Sequence, residues 1–257
     1  MDAVLTFLHS DTGLEAWVVW LLLGVSFAGS FLTAALGLGG GILAIAAMAL
    51  FLPPAAVIPL HGVMQLGANS SRAWLMRKHL RRDIVPLFFV GTVLGALLGA
   101  QVVVALPVGV LRALIGLFIL FAIWAPHIRA SNPGRRTFFA VGAVGAFTTM
   151  FVGATGMLIA PFVIAASTDR HQIVATHAVL MTMQHLLKIV AFVALGFAFG
   201  PYLPLLGAWM VAAFAGAWVG RMALNRLPEQ VFRTALKWIL TALALRLLYD
   251  ALTGWLA

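Results

Sequence analysis

The chain contains no cysteine, which excludes disulfides, thiolate metal sites and cysteine nucleophiles. Charge is scarce, with Asp, Glu, Lys and Arg making up 9% of the 257 residues. Acid is scarcest. There are seven Asp and Glu, and Asp2, Asp11, Glu15, Asp83, Asp169, Glu229 and Asp250 all sit in tails, connections or segment ends. A carboxylate cage for sodium or a divalent cation has no residues to build it. A carboxylate proton relay is missing too, which leaves histidine as the candidate titrating group and protons as a conceivable coupling ion. No HExxH, no GxSxG and no pair of membrane-embedded acids occurs, so neither an enzyme nor a cofactor is expected.

What the chain has in abundance is apolar sequence. Hydrophobic residues make up 63% of it, and its mean hydropathy is +1.07. No soluble domain hides that much apolar surface, so the expectation is an all-α polytopic membrane protein with the lipid bilayer as its solvent. The net charge of +9 could suggest nucleic acid. The basic residues sit at segment ends and in short connections instead, as in the cytoplasmic loops of membrane proteins. The start, "MDAVLTFLHSDTGLEAW", lacks the basic opening of a signal peptide, so the first segment is expected to be retained.

Ten apolar segments recur, near 14–36, 42–52, 57–76, 84–106, 110–126, 137–152, 157–167, 173–197, 202–220 and 231–252. A bilayer core of roughly 30 Å takes about 20 helical residues to cross. Segments 42–52 and 157–167 are short for that, and each follows a glycine-bearing break, "GLGGG" at 37–41 or "GATG" at 153–156. Arg and Lys concentrate in the connections 77–83 and 127–136, at Arg170, and at Arg221 and Arg226. Placing those connections in the cytoplasm puts the N-terminus outside and makes the second five segments an upside-down copy of the first five. An offset of 116 residues sets Gly37 and Gly40 on Gly153 and Gly156, His61 on His177, Asn69 on His185, Arg72 on Lys188 and Gly91 on Gly207. The expected architecture is two inverted-topology repeats, 1–126 and 127–257, each opening with a Gly-broken hairpin.

The polar residues inside the membrane cluster on two segments. His61, Gln65, Asn69 and Arg72 fall on one face of the third, and His177, Gln184, His185 and Lys188 make a similar stripe on the eighth. A central lysine costs at least about 2.5–3.5 kcal/mol on insertion scales and normally faces a cavity, a partner or a substrate. A broken helix also exposes N–H groups at the start of its second half, which attract anions. That adds Gly39, Gly40 and Gly41 to the candidates in the first break, and Gly153, Ala154, Thr155, Gly156 and Met157 in the second. Cations and amides without acids suit an anion. A soft-metal transporter using His61, Met64, His177 and Met181 is the rival reading.

The stretches "GLGGGILAI", "FVGATGMLIAPFVI" and "VATHAVLMTMQHLLKI" resemble the sulfite exporter TauE/SafE family, also called TSUP transporters. Gly153, Gly156, Pro161, Thr176, His185 and Lys188 match the family pattern, whereas the first half, "GGGILAIAAMALFLPP", lacks the proline that many members carry after the Gly-rich loop. The resemblance implies a transporter of the bacterial cytoplasmic membrane, usually an exporter, for sulfite or organosulfonates such as sulfoacetate. The expected function is secondary active transport of such an anion by alternating access.

Overall fold

The structure, a computed structural model, describes residues 12–36, 39–125, 130–131, 133–223 and 229–256. Ten α-helices and no strand occur among them: α1 (Ala16–Leu36), α2 (Gly40–Phe51), α3 (Pro54–Leu75), α4 (Val85–Val103), α5 (Val108–Trp124), α6 (Thr137–Val152), α7 (Gly156–Ala166), α8 (Arg170–Ala194), α9 (Leu203–Ala223) and α10 (Glu229–Leu256). Short 3₁₀ turns lie at Arg77–His79 and Gly200–Tyr202. The ten helices answer the ten apolar segments, with ends displaced by a few residues. Gly37 and Leu38 of the first break lie outside the described residues.

Four stretches are long and apolar enough to cross a membrane: Ala16–Ala35, Val85–Val103, Arg170–Ala194 and Gly200–Met222. The 22-residue α3 is long enough, but its polar stripe lowers its hydropathy. Helices α2 and α7 have 12 and 11 residues, or about 16–18 Å at 1.5 Å per residue, half a bilayer. Side chains on the outer faces of α4, α5, α9 and α10 are large, apolar and exposed, among them Leu97, Leu117, Val211, Trp218 and Leu252. In water such a surface would be a liability, whereas in lipid it is solvated.

Helix pairs define the bundle. α3 packs on α8 at the centre, α1 lies along α9, α4 along α6, and α5 along α10. Two pairs approach closely through glycine. A β-carbon at Gly91 or Gly95 of α4 would overlap the carbonyl oxygen of Phe139 or Ala143 on α6. One at Gly216 or Gly220 of α9 would overlap that of Phe27 or Phe31 on α1. Residue numbers rise together in both pairs, so each runs parallel. Small residues at such contacts let backbones approach where no hydrophobic effect drives helices together. The sequence offset sets Gly91 against Gly207, but a β-carbon at Gly207 meets nothing within 4 Å. On α9 the close-contact role falls to Gly216 and Gly220 instead.

One connection is tied down from several sides. The Arg81 N–H donates to Thr176 Oγ1 at 3.1 Å, and its guanidinium donates to Ala166 O and pairs with Asp83 at 3.0 Å. The Arg81 hydrogen bond holds the Asp83 carboxyl below its usual range. Connection 77–83 is thereby fastened to the far ends of α7 and α8.

Candidate anion site

Both broken helices begin at a glycine, beside a backbone conformation that L side chains rarely adopt. φ is 103° at Gly39 and 76° at Gly153. An ordinary residue in the left-handed region costs about 1–2 kcal/mol, so glycine is what allows this backbone at both positions. The first turns of α2 and α7 then present N–H groups that have no partner within the helix.

Each start is held by a histidine from the next long helix. His61 Nε2–H donates to Gly41 O at 2.9 Å, and His177 Nε2–H donates to Gly156 O at 2.9 Å. A carbonyl only accepts, so these contacts place the proton on Nε2. Thr33 of α1 adds a bond to the first hairpin. Its Oγ1 accepts from the Gly40 N–H at 3.1 Å and donates to Gly29 O at 2.8 Å. The Gly40 N–H is therefore already engaged.

Between the two starts lies a small cavity of about 40 Å³. Gly39, Gly41 and Ile42 line it from the first hairpin, and Ala154, Gly156 and Met157 from the second. The side chains of Thr33, Gln65, Asn69, Arg72, His177, Met181 and His185 complete the wall. Among the described residues no carboxylate lines it. Arg72 is buried, and its guanidinium donates to Asn69 Oδ1 and, at 3.4 Å, to Thr33 O. Asn69 Nδ2 in turn donates to Gln65 O at 2.7 Å. His185 is 2% exposed, and its Nδ1 has no hydrogen-bond partner among the described residues.

The remaining candidates stand behind that wall. His61 is fully buried, with its ring centroid 5.9 Å from that of His185. Thr155 Oγ1 donates to Gln184 Oε1 at 2.8 Å. Lys188, 0% exposed, donates from Nζ to Gly153 O at 3.0 Å and to Thr149 Oγ1 at 3.4 Å. Thr149 donates to the same carbonyl at 2.9 Å. The sequence stripe put Lys188 on the ligand, whereas its amino group sits on the C-terminal end of α6, where carbonyls and helix dipole attract a cation. Of the sixteen candidates, Gly40, His61, Gly153, Thr155, Gln184 and Lys188 are not part of the cavity wall.

Sequence reasoning missed Thr33, Ile42 and Thr149. A lone threonine in an apolar helix reads as local hydrogen-bonding glue. Nothing in the spacing of Thr149 announces that it shares a carbonyl with a lysine 39 residues away. Among the described residues no three His, Cys, Asp or Glu side chains gather as metal ligands.

No curated protein and no solved structure matches the chain. The family model described as sulfite exporter TauE/SafE does match, over residues 21–247. That span begins inside α1, ends inside α10 and includes every residue of the cavity wall, and the chain belongs to this family of membrane transporters.

Proposed function

We propose that the protein is a secondary active transporter that exports a small sulfur-containing anion, sulfite or an organosulfonate, across the bacterial cytoplasmic membrane. One observation carries the reading: two helix starts, one buried guanidinium and an unpartnered histidine nitrogen converge on one cavity that no carboxylate lines. Every feature there favours negative charge. Helix N-termini supply N–H groups and the positive end of the dipole. Arg72 supplies a fork of donors that fits a tetrahedral oxyanion. His185, Asn69 and Gln65 add hydrogen bonds. Lys188 contributes from behind, by ordering the Gly153 carbonyl and by its charge.

The same reading explains the bundle as two inverted repeats. A two-fold relation between the halves would turn a contact of α1 with α9 into one of α6 with α4, and keep α3 with α8 and α5 with α10 as self-related pairs. Packing of α1 on α9, α4 on α6, α3 on α8 and α5 on α10 supports that arrangement. Alternating access then moves one part of the pair against the other around the central site. An inside-negative potential favours exit of an anion by about 2.3 kcal/mol per charge per 100 mV. Export therefore needs little further driving force. The metal-cation reading loses ground because the cationic Arg72 lines the cavity.

The test is a binding screen of purified protein against sulfite, sulfate, thiosulfate, sulfoacetate, taurine and sulfolactate, followed by flux of the best ligand in liposomes. Saturable binding and flux of at least one sulfur oxyanion are expected. Thermal stabilisation by a transition metal, with no response to any of the six anions, would overturn the reading.

A further inference from the structure

A second, larger cavity of about 290 Å³ lies beside the central one. Its wall comes from the ends of α1, α3, α8 and α9 and from the 3₁₀ turn, on the face of the molecule that carries the basic connections. Arg72, His79, Arg170, His171 and Arg221 line it, with Val174 between them. Among the described residues no carboxylate does. Asp169 stands next to it and faces His171, with Oδ1 3.5 Å from Nδ1. The rings of His79 and His171 lie 5.2 Å apart and join the 3₁₀ turn to the start of α8. Arg72 belongs to the wall of both cavities.

We propose that this cavity is a separate anion station, which gathers an oxyanion- or sulfonate-bearing solute from the basic face and delivers it past Arg72 to the broken helices. The inference rests on the anion reading above and adds a site to it. Size is the first argument. A water needs roughly 10–15 Å³ of such volume, and small-molecule pockets start near 300 Å³. In this arrangement the inner cavity of about 40 Å³ admits no whole organic anion. The outer one does. Charge is the second argument. A preference for basic residues in cytoplasmic connections explains their number but not their gathering around one concavity with a buried arginine at its floor. A cleft of one sign with low-dielectric walls focuses the field and raises the local concentration of counter-ions by roughly 10–10³-fold. Continuity is the third argument, because a single guanidinium reaches both spaces and can pass an oxyanion from one to the other without an intervening uncharged gap.

The chain has no cysteine, so Val174→Cys supplies a unique reporter inside the station. Purified full-length protein is labelled with an anionic and a cationic methanethiosulfonate reagent of similar size. The anionic reagent is expected to react about tenfold faster, and Arg221→Gln to cut that ratio about threefold. Sulfate and sulfoacetate are expected to slow the labelling. Equal rates for the two reagents, or no protection by either anion, would overturn the proposal. Leu75→Cys, on the opposite wall, is the reporter if Val174→Cys does not fold. In liposomes Arg221→Gln is expected to raise KM about fivefold for anion supplied at the basic face, with kcat kept and most of the loss recovered by Arg221→Lys. An equal KM change from both faces would also overturn it. Failure of the transport reading is distinguishable. Wild-type protein would then move none of the anions, while the labelling ratio would still decide whether the cavity gathers them.

Discussion

Two cations, Arg72 on α3 and Lys188 on α8, are matched by the sequence offset, and the fold uses them differently. Arg72 keeps its guanidinium on the wall between two cavities, held by Asn69 and the Thr33 carbonyl. Lys188 is enclosed on all sides and donates to the Gly153 carbonyl that closes α6. The difference follows from what faces each one. Arg72 lies near the end of α3, where the helix opens onto the outer cavity. Lys188 is as far from the start of α8 as Arg72 is from that of α3, but it is enclosed, at the second break and against Gly62 of α3. One cation lines two cavities, while the other supports the second break.

The largest effect expected from breaking this comparison is on Arg72. Arg72→Gln removes the only guanidinium that lines the inner cavity among the described residues and leaves Asn69 without its donor. Hydrogen bonds to charged groups contribute about 1.5–3 kcal/mol, so affinity for the best anion should fall roughly 10- to 100-fold. The unfolding midpoint should move little, because the residue stands at a cavity edge. Isothermal titration and a thermal melt on the same preparation check both halves of the statement. An unchanged Kd would remove Arg72 from the site.

Lys188 should behave in the opposite way for stability. No carboxylate pairs with it among the described residues, and Gly153 O keeps its bond from Thr149 when Nζ is gone. Burying an uncompensated ammonium costs several kcal/mol, more than the roughly 1.5–3 kcal/mol that its hydrogen bond returns. Lys188→Met is therefore expected to stabilise the protein by about 1–2 kcal/mol. Loss of its charge behind the inner cavity should weaken anion binding by about 1–2 kcal/mol at the same time. A positive group retained at a cost in stability fits a site whose counter-charge arrives with the substrate. A lower unfolding midpoint for Lys188→Met, with anion affinity intact, would make it a structural cap alone.

Much of this was readable in the chain, and the part that was not has a physical reason. Ten helices follow from ten apolar runs, because in lipid the backbone must satisfy itself within each segment. The breaks follow from glycine at Gly39 and Gly153. Facial spacing located both polar stripes. Spacing does not say how far along a helix its neighbour crosses, and that distance separates the cavity residue Arg72 from the enclosed Lys188. Glycines matched by the offset need not make the same contact, as Gly207 shows, for a related reason. Glycine identity says that a close contact is possible, and only the packing of α1 on α9 decides that Gly216 and Gly220 make it. The outer cavity was invisible because His79, Arg170, His171 and Arg221 come from three places in the chain, each of which reads as an ordinary helix end.

The smallest and most discriminating effect concerns the paired histidines. His61 and His177 make the same bond, from Nε2 to the carbonyl of a broken helix start, at the same 2.9 Å. His177 also lines the inner cavity, while His61 does not. Replacing either by Phe leaves a carbonyl without its donor, at a net cost of about 1 kcal/mol in stability for each. If their roles are symmetric, both variants lose anion affinity equally. If the asymmetry of Arg72 and Lys188 extends through the whole site, His177→Phe weakens binding about fivefold, because the hydrogen bond that orders Gly156 in the cavity wall is lost, and His61→Phe changes it less than about twofold. Because the stability loss is common to both, the ratio of the two dissociation constants isolates the ligand contact. A ratio near one would mean that the central site sits evenly between the two halves, and that the ligand touches both histidines once the hairpins move.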